Sequence, residues 1–259
     1  MDGVNKTLYI PLYGKSYVSK IGIILDDKTA EEIWEKEGFS LRGKSASKWL
    51  AYYMGMRARV FDDWTSRMID ENPDAVVLHL GCGLDSRVKR VGKGRFWYDV
   101  DFPEVIEERR KYFSDSENYT MLSADLSKED SLDSISENKC AIVVMEGISM
   151  YLTPDELKGL FISLKRRFEK VHLLMDSYTT LAARMSKIKN PINDVGVTTV
   201  YGMDDPTILS CSGIGFVCER DMTPTELIDE LPKKERGLFS FLYAGNTARK
   251  MYKMFEYEK

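Results

Sequence analysis

A mostly parallel β-sheet with helices packed on both faces is the architecture this chain predicts. From about residue 73 onward, short apolar runs alternate with amphipathic helical patterns. Such alternation buries a parallel sheet between layers of helix. The first apolar run, Val76–Leu80, breaks onto Gly81-Cys82-Gly83, and the next ends on Asp101, 20 residues beyond Gly81. A glycine turn and an acid at that spacing are what an α/β protein uses to bring backbone under an adenosine and grip its ribose. The sequence therefore points to a nucleoside-containing cofactor.

The elements follow in order. The first 70 residues read as irregular chain and helices. Thr29–Glu37 predicts a short helix, and Ser45–Asp70 a long one, with Trp49, Tyr53, Met56, Val60, Trp64 and Met68 on one stripe. Pro73 stops it. Residues 1–72 are thus expected to form a helical cap that contributes to the site, and 73–259 the sheet domain, the two making one integrated domain. Strands are expected at 76–80, 95–101, 119–123, 140–145 and 171–176, and helices near 84–91, 103–113, 129–136 and 154–168. Gly215–Met222 and Lys250–Tyr257 then read as two closing strands, seven in all, paired antiparallel at one edge of the sheet. The segment 177–210 is the least regular, with Asn190-Pro191 and Asp205-Pro206. It follows the carboxyl end of a strand, where α/β sheets present ligands, and is the candidate substrate lid.

Bulk properties exclude several classes. At 259 residues, 43% hydrophobic and 30% charged, the chain is an ordinary globular domain. A net charge of −4 with pI near 5.5 argues against a nucleic-acid partner. No apolar run approaches about 18 residues, so no membrane partner is expected. The N-terminal Met1–Lys6 lacks a signal-peptide pattern. Cys82, Cys140, Cys211 and Cys218 have no zinc-ligand spacing; buried thiols in a reducing cytosol, no metal and a cytoplasmic location are the expectation. Nothing in the sequence fixes the oligomeric state.

Several residues carry chemistry. Gly81, Cys82 and Gly83 form a turn between strand and helix whose backbone can approach a ligand. Ser86 stands where a dinucleotide fingerprint wants a third glycine. Asp99 and Asp101 compete for the ribose; Asp101, at the strand's carboxyl end with Phe102-Pro103 turning the chain after it, is better placed. Asp125, closing the third strand, lies beside the expected adenine; a solvated loop acid is the alternative. Glu146 ends the apolar run Ala141–Met145, and a carboxylate emerging from a buried strand needs a partner or a task. On a helical wheel Arg57 falls within about 40° of the apolar stripe and Arg59 about 120° away. Arg57 therefore wants an anion, either a neighbouring acid or a ligand carboxylate. Lys15 alone reads as an ordinary solvated lysine.

Taken together the motifs resemble the leucine carboxyl methyltransferase-like family, which includes bacterial O-methyltransferases of polyketide metabolism. The resemblance spans about residues 8–178. It rests on Leu80-Gly81-Cys82-Gly83-Leu84-Asp85-Ser86-Arg87, Tyr98–Ile106, Ala124-Asp125-Leu126 and Glu146-Gly147-Ile148-Ser149-Met150-Tyr151-Leu152-Thr153-Pro154. It implies a class I, Rossmann-like methyltransferase fold, whose sheet carries an antiparallel terminal strand, and S-adenosylmethionine as cofactor. It further implies that the Gly81–Gly83 turn lies under the cofactor, that Asp101 with Phe102 meets the ribose, and that Asp125 and Leu126 flank the adenine. Glu146 and Gly147 would sit near the charged end, with Arg57 and Lys15 at the methionine carboxylate and the entrance. Beyond about residue 180 no resemblance holds.

Methyl transfer from a sulfonium is an in-line displacement that needs alignment more than acid–base help. A carboxylate is already ionised at neutral pH, whereas a phenol or alcohol wants a base. The two histidines, His79 and His172, fall in predicted core strands and read as satisfied core residues. That leans toward a carboxylate or an acidic hydroxyl on a small molecule. Tyr151 can hydrogen-bond such an acceptor, a packed aromatic being the alternative. Methylation of a protein C-terminus, a non-catalytic cofactor-binding relative and a nicotinamide enzyme are the competing readings.

Overall fold

The computed structural model describes residues 8–136, 138–186 and 199–259. Its centre is a seven-stranded sheet in the order β3-β2-β1-β4-β5-β7-β6. The strands are β1 (Val76–Leu80), β2 (Trp97–Asp101), β3 (Tyr119–Ser123), β4 (Asn138–Met145), β5 (Phe168–Tyr178), β6 (Gly215–Arg220) and β7 (Tyr252–Glu258). β1 to β5 run parallel, and β7 runs antiparallel to both β5 and β6. The closing pair does form, but β7 is inserted between β5 and β6, which leaves β6 at the edge. Because β7 is reversed, its first residues lie at the carboxyl ends of the parallel strands, with Tyr252 opposite Tyr178.

Period-two alternation divides the core between the two faces. Val77, Ile142, Val144 and Leu174 face one apolar cluster, shared with helices α1 (Tyr9–Lys20), α2 (Lys28–Glu37) and α3 (Lys48–Glu71). Val76, Leu78, Val143 and Leu173 face the other, closed by Leu157, Leu160 and Phe161 of Pro154–Arg167. Thr153 and Glu156 form a reciprocal capping box at the start of that last helix.

Three local expectations need correction. Tyr9–Lys20, read as irregular chain, is a helix. Pro11 falls in its first turn, where a missing N–H costs nothing, and Gly14 serves a close helix contact described below. Residues 129–136 are not a helix but successive turns, with Ser131, Asp133 and Ile135 each bonding three residues back. Serine and aspartate there compete for backbone groups, while buried Leu132 and Ile135 mimic helical spacing. The long helix starts at Lys48, capped by Ser47, after a separate 3₁₀ turn at Gly43–Ala46. In the segment 177–210, Thr180–Ser186 is helical and Pro206–Ser212 is a 3₁₀ turn; residues 187–198 lie outside the described residues.

The cysteines depart in part from expectation: Cys82, in the turn after β1, is buried, but Cys140 and Cys218 are half-buried and Cys211 is exposed. Among the described residues no helix is long and apolar enough to cross a membrane.

Candidate active site

One cavity of about 1150 Å³ opens along the carboxyl ends of the parallel strands. Lys15, Arg57, Gly81, Cys82, Gly83 and Asp101 line it, as do Phe102, Asp125, Leu126, Glu146, Gly147 and Tyr151. All twelve border the same space, whereas Asp99, the competing acid, does not.

The floor is the turn after β1. Gly81 has φ +71°, and a Cβ there would strike the Ile148 side chain. Only glycine combines that backbone with that proximity. The Gly83 N–H donates to Asp101 Oδ2 and the Phe102 N–H to Oδ1, each at 2.8 Å. Burial pushes the Asp101 carboxyl up to about 6, against the pull of those two N–H groups. Asp99, on the same strand, is buried away from the cavity lining. It accepts from Trp97 Nε1 and the Tyr119 hydroxyl, pairs with Arg109 and meets His79 Nδ1 at 3.1 Å. Burial opposes its ionisation, but Arg109 and His79 outweigh that and hold it down at about 2. Asp99 is a structural anchor, and Asp101 is the acid at the cavity. Asp125 follows β3, and its own carboxylate caps the Ser127 N–H at 3.0 Å.

The opposite wall is set by two helices. A Cβ on Gly14 would collide with Met54, and one on Gly55 with Val18, so α1 and α3 approach closely only because both positions lack side chains. This contact brings Lys15 and Arg57 to one carboxylate. Glu146 lies 2.8 Å from Arg57 Nη2 and 3.7 Å from Lys15 Nζ, and it also pairs with Arg87. Burial raises its proton affinity, but Lys15, Arg57 and Arg87 overcome that and keep Glu146 ionised well below the usual carboxylate range. Lys15 further pairs with Asp85 at 2.8 Å, which is why it is buried rather than solvated. Arg57 is buried with its Nε lacking an acceptor among the described residues. Arg59 points outward to Asp63 instead.

Asp85, Arg87, Asp176 and Tyr252 are site residues that sequence reasoning misses. Asp85 and Arg87 stand within a quoted motif yet carry no local sign of partners. Asp176 ends the apolar run Leu173–Met175 much as Glu146 ends its own, so the strand-end argument applies to it too. Arg57 Nη1 donates to the Tyr252 hydroxyl at 2.9 Å across 195 positions of sequence, a contact no local pattern reveals. His79 borders the cavity but has both ring nitrogens engaged, by Asp99 and Arg87. His172 departs from the satisfied state expected of it: Nε2 has no partner among the described residues and Nδ1 stands 3.8 Å from Glu258.

The model of the family described as leucine carboxyl methyltransferase matches residues 12–165. The chain belongs to that family. It is an S-adenosylmethionine-dependent methyltransferase, which sets aside the nicotinamide reading. TcmP of Streptomyces glaucescens, described as a tetracenomycin polyketide synthesis O-methyltransferase, is 32% identical over 213 residues, covering 81% of this chain and 78% of that protein. The S-adenosyl-L-methionine-dependent methyltransferase dpfgK of Gibberella zeae is 24% identical over 230 residues, covering 80% and 77%. Among solved structures, magnesium protoporphyrin IX methyltransferase from Synechocystis PCC 6803, with bound SAH, superposes with a TM-score of 0.52 at 12% identity, covering 89% of this chain and 94% of that one. This last likeness concerns the fold alone.

Proposed function

We propose that this methyltransferase acts on an oxygen, a carboxylate or an acidic hydroxyl, of a small molecule. The observation that carries this reading is the extent of the cavity. At about 1150 Å³ it exceeds the roughly 300–1,000 Å³ of a typical single-ligand pocket. It runs from the glycine turn to an aromatic end walled by Tyr53, Tyr178, Tyr243 and Tyr252. Tyr53 and Tyr243 rings lie 5.2 Å apart, and Tyr178 and Tyr252 rings 4.9 Å apart. The first half suits a nucleoside and the second an apolar or planar acceptor.

The residues present fit S-adenosylmethionine, which when bound supplies a methyl carbon on a sulfonium open to in-line attack. Asp101 would accept from the ribose hydroxyls, with Phe102 beside it, and Gly81, Cys82 and Gly83 would pass beneath. Asp125 and Leu126 would flank the adenine. Arg57, with a buried donor still lacking an acceptor, and Lys15 would hold the methionine carboxylate. Glu146 and the Gly147 backbone would border the charged end, where an ionised carboxylate favours a cation. Tyr151, in the turn Ser149–Tyr151, would meet the acceptor. The description of TcmP as an O-methyltransferase supports oxygen as the receiving atom.

The test is transfer of labelled methyl from S-adenosylmethionine to a panel of aromatic acids, phenols, amines and peptides with free C-termini. Methyl esters or ethers of the small molecules are the expected products. Label found only on amines or only on peptides would overturn the assignment.

A further inference from the structure

We propose that Tyr243 sets how long an acceptor the enzyme takes, by closing the acceptor end of the cavity against a second chamber. The inference rests on the small-molecule acceptor proposed above and holds for carboxylic acids and hydroxyl compounds alike. It begins with two spaces that share a wall. Beside the aromatic end of the main cavity lies a chamber of about 240 Å³, bordered by Met222, Thr223 and a set of charged side chains. Tyr53, Tyr243, Ala248 and Tyr252 border both this chamber and the main cavity. These four residues are the partition between them.

The partition is not held equally throughout. Tyr252 is buried and accepts from Arg57 Nη1 at 2.9 Å, and Tyr53 is buried and donates its hydroxyl to Met222 Sδ at 3.7 Å. Ala248 presents a single methyl. Tyr243 is half-buried, and its hydroxyl makes no hydrogen bond among the described residues. Ring contacts alone hold it, to Phe239 at 5.5 Å and to Tyr53 at 5.2 Å. The backbone beneath it is just as lightly anchored. Ser240–Ala244 is a π-helical turn in which no residue is buried, Phe241 being 81% exposed and Leu242 44%. Such a turn carries an extra residue that re-aims its side chains, and a segment with few buried apolar contacts opens at low cost. Tyr243 is the partition ring that can turn aside without breaking a hydrogen bond.

The second chamber suits the far end of an elongated molecule. Buried Met222 and Thr223 and the tyrosine rings give it an apolar floor. The charges on its rim are already paired, Lys253 with Glu219 at 2.8 Å, Arg249 with Asp221 at 2.6 Å and Arg220 with Glu256 at 2.6 Å. No rim charge is left over to select an ion, so a further apolar ring with uncharged substituents is the group that fits. An apolar pocket discriminates by size, gaining or losing affinity with each group it admits or excludes. With Tyr243 in place an acceptor ends at the partition, and with the ring removed a molecule longer by one fused ring has room. Lys15, Arg57 and Asp101 make no hydrogen bond or ion pair with Tyr243, so the cofactor end is left as it was.

The full chain with S-adenosylmethionine tests this on carboxylic acids and phenols of one, two and three linearly fused rings. The quantity read is the ratio of kcat/KM for three-ring to one-ring acceptors bearing the same reacting group. Tyr243→Ala should raise that ratio about tenfold or more, mainly through a lower KM for the three-ring compounds, while SAH affinity stays within about twofold. Tyr243→Phe should keep the wild-type ratio, because the hydroxyl holds nothing. Tyr243→Trp should lower it about fivefold or more. Adding Met222→Trp, which fills the second chamber from its far side, should cancel the gain of Tyr243→Ala. An unchanged ratio in both Tyr243→Ala and Tyr243→Trp overturns the proposal. So does a gain that survives Met222→Trp, or a Tyr243→Phe protein that behaves as Tyr243→Ala does. A loss equal across ring numbers marks a merely structural role and overturns it too. Should Tyr243→Ala fail to fold, the same ratio in Tyr243→Trp decides alone. Transfer to none of these acids and phenols, by wild type or variants, overturns the parent reading of a small-molecule acceptor, and this inference with it.

Discussion

Replacing Asp101 with asparagine should convert a pH-dependent cofactor site into a pH-independent, weaker one. In the ligand-free protein the Asp101 carboxyl accepts two backbone N–H groups at 2.8 Å, yet burial still pushes it up to about 6. Two ribose hydroxyls donating to its remaining lone pairs would favour the ionised form, so binding should expel a proton wherever the free protein holds one. Below pH 6 the ligand then has to ionise the group first, and affinity should fall about tenfold, roughly 1.4 kcal/mol, for each unit of pH. Above about pH 7 it should be flat. An asparagine side chain at this position cannot ionise, and it turns an N–H donor toward one ribose hydroxyl. Losing one charge-assisted hydrogen bond costs about 1.5–3 kcal/mol, roughly ten- to a hundredfold in affinity. Calorimetric titration with SAH between pH 5 and 8, in two buffers of different ionisation enthalpy, reads both the slope and the released proton. A wild-type affinity that is level from pH 5 to 7, or an Asp101→Asn variant with the wild-type slope, would refute the argument. The folded-state value is raised, so the stabilising share of Asp101 is present below about pH 4 and lost as pH rises through about 6. Ligand-free melts should follow that window.

The other substitutions separate neighbouring residues. Arg57→Met should weaken SAH binding at least tenfold and also lower the melting temperature, because it removes one of the three cations around buried Glu146 and the guanidinium beside buried Asp176, at a cost of about 3–5 kcal/mol; Arg59→Met, which removes an exposed partner of Asp63 and one bond to the Ile24 carbonyl, should leave SAH binding unchanged and cost about 1 kcal/mol of stability. The reverse ordering in calorimetry would sink the assignment of Arg57. Gly81→Ala should lower both stability and SAH affinity, since the new methyl meets Ile148 on a left-handed backbone; normal binding by calorimetry would contradict this. Asp99→Asn should destabilise by about 3–5 kcal/mol in urea melts by breaking the buried pair with Arg109. Asp99 is held low at about 2, so the contribution it makes is present above about pH 4 and lost as pH falls through about 2. An Asp99→Asn protein as stable as wild type at pH 7 would show that the pair is not structural.

What could be read from the chain was whatever a strand end or a helix wheel makes local. Asp101 and Glu146 are visible because an acid at the close of an apolar run has to emerge at the carboxyl edge of the sheet. Arg57 is visible because a guanidinium on an apolar stripe has to find an anion, and it finds Glu146. Lys15 owes its burial to Asp85, 70 positions away, and to the close crossing of α1 and α3 at Gly14 and Gly55, so nothing around it in sequence marks it. Tyr252 reaches the site only because β7 is inserted backwards between β5 and β6. That insertion is a property of the sheet order, which strand patterns alone do not fix. The turns at 129–136 mislead for the opposite reason, their two buried aliphatics having helical spacing without a helix to carry them.

Buried acids that close neighbouring strands differ here in chemistry because their counter-charges differ. Glu146 faces three cations and gives up its proton far below neutrality, so it can fix charged groups in place but makes a weak base. Asp101 has two backbone N–H groups, and Asp176 one N–H with a guanidinium it shares with Glu146. Neither set fully offsets burial, and both carboxyls stand at about 6. Asp101 is separated from Asp176 by β1 and β4 in the sheet order, and only Asp101 borders the cavity, Asp176 being buried behind its lining. Were Asp101 to hold the ribose as proposed, its protonation would be coupled to cofactor binding, whereas Asp176 would titrate behind the tyrosines that wall the β5–β7 end of the cavity.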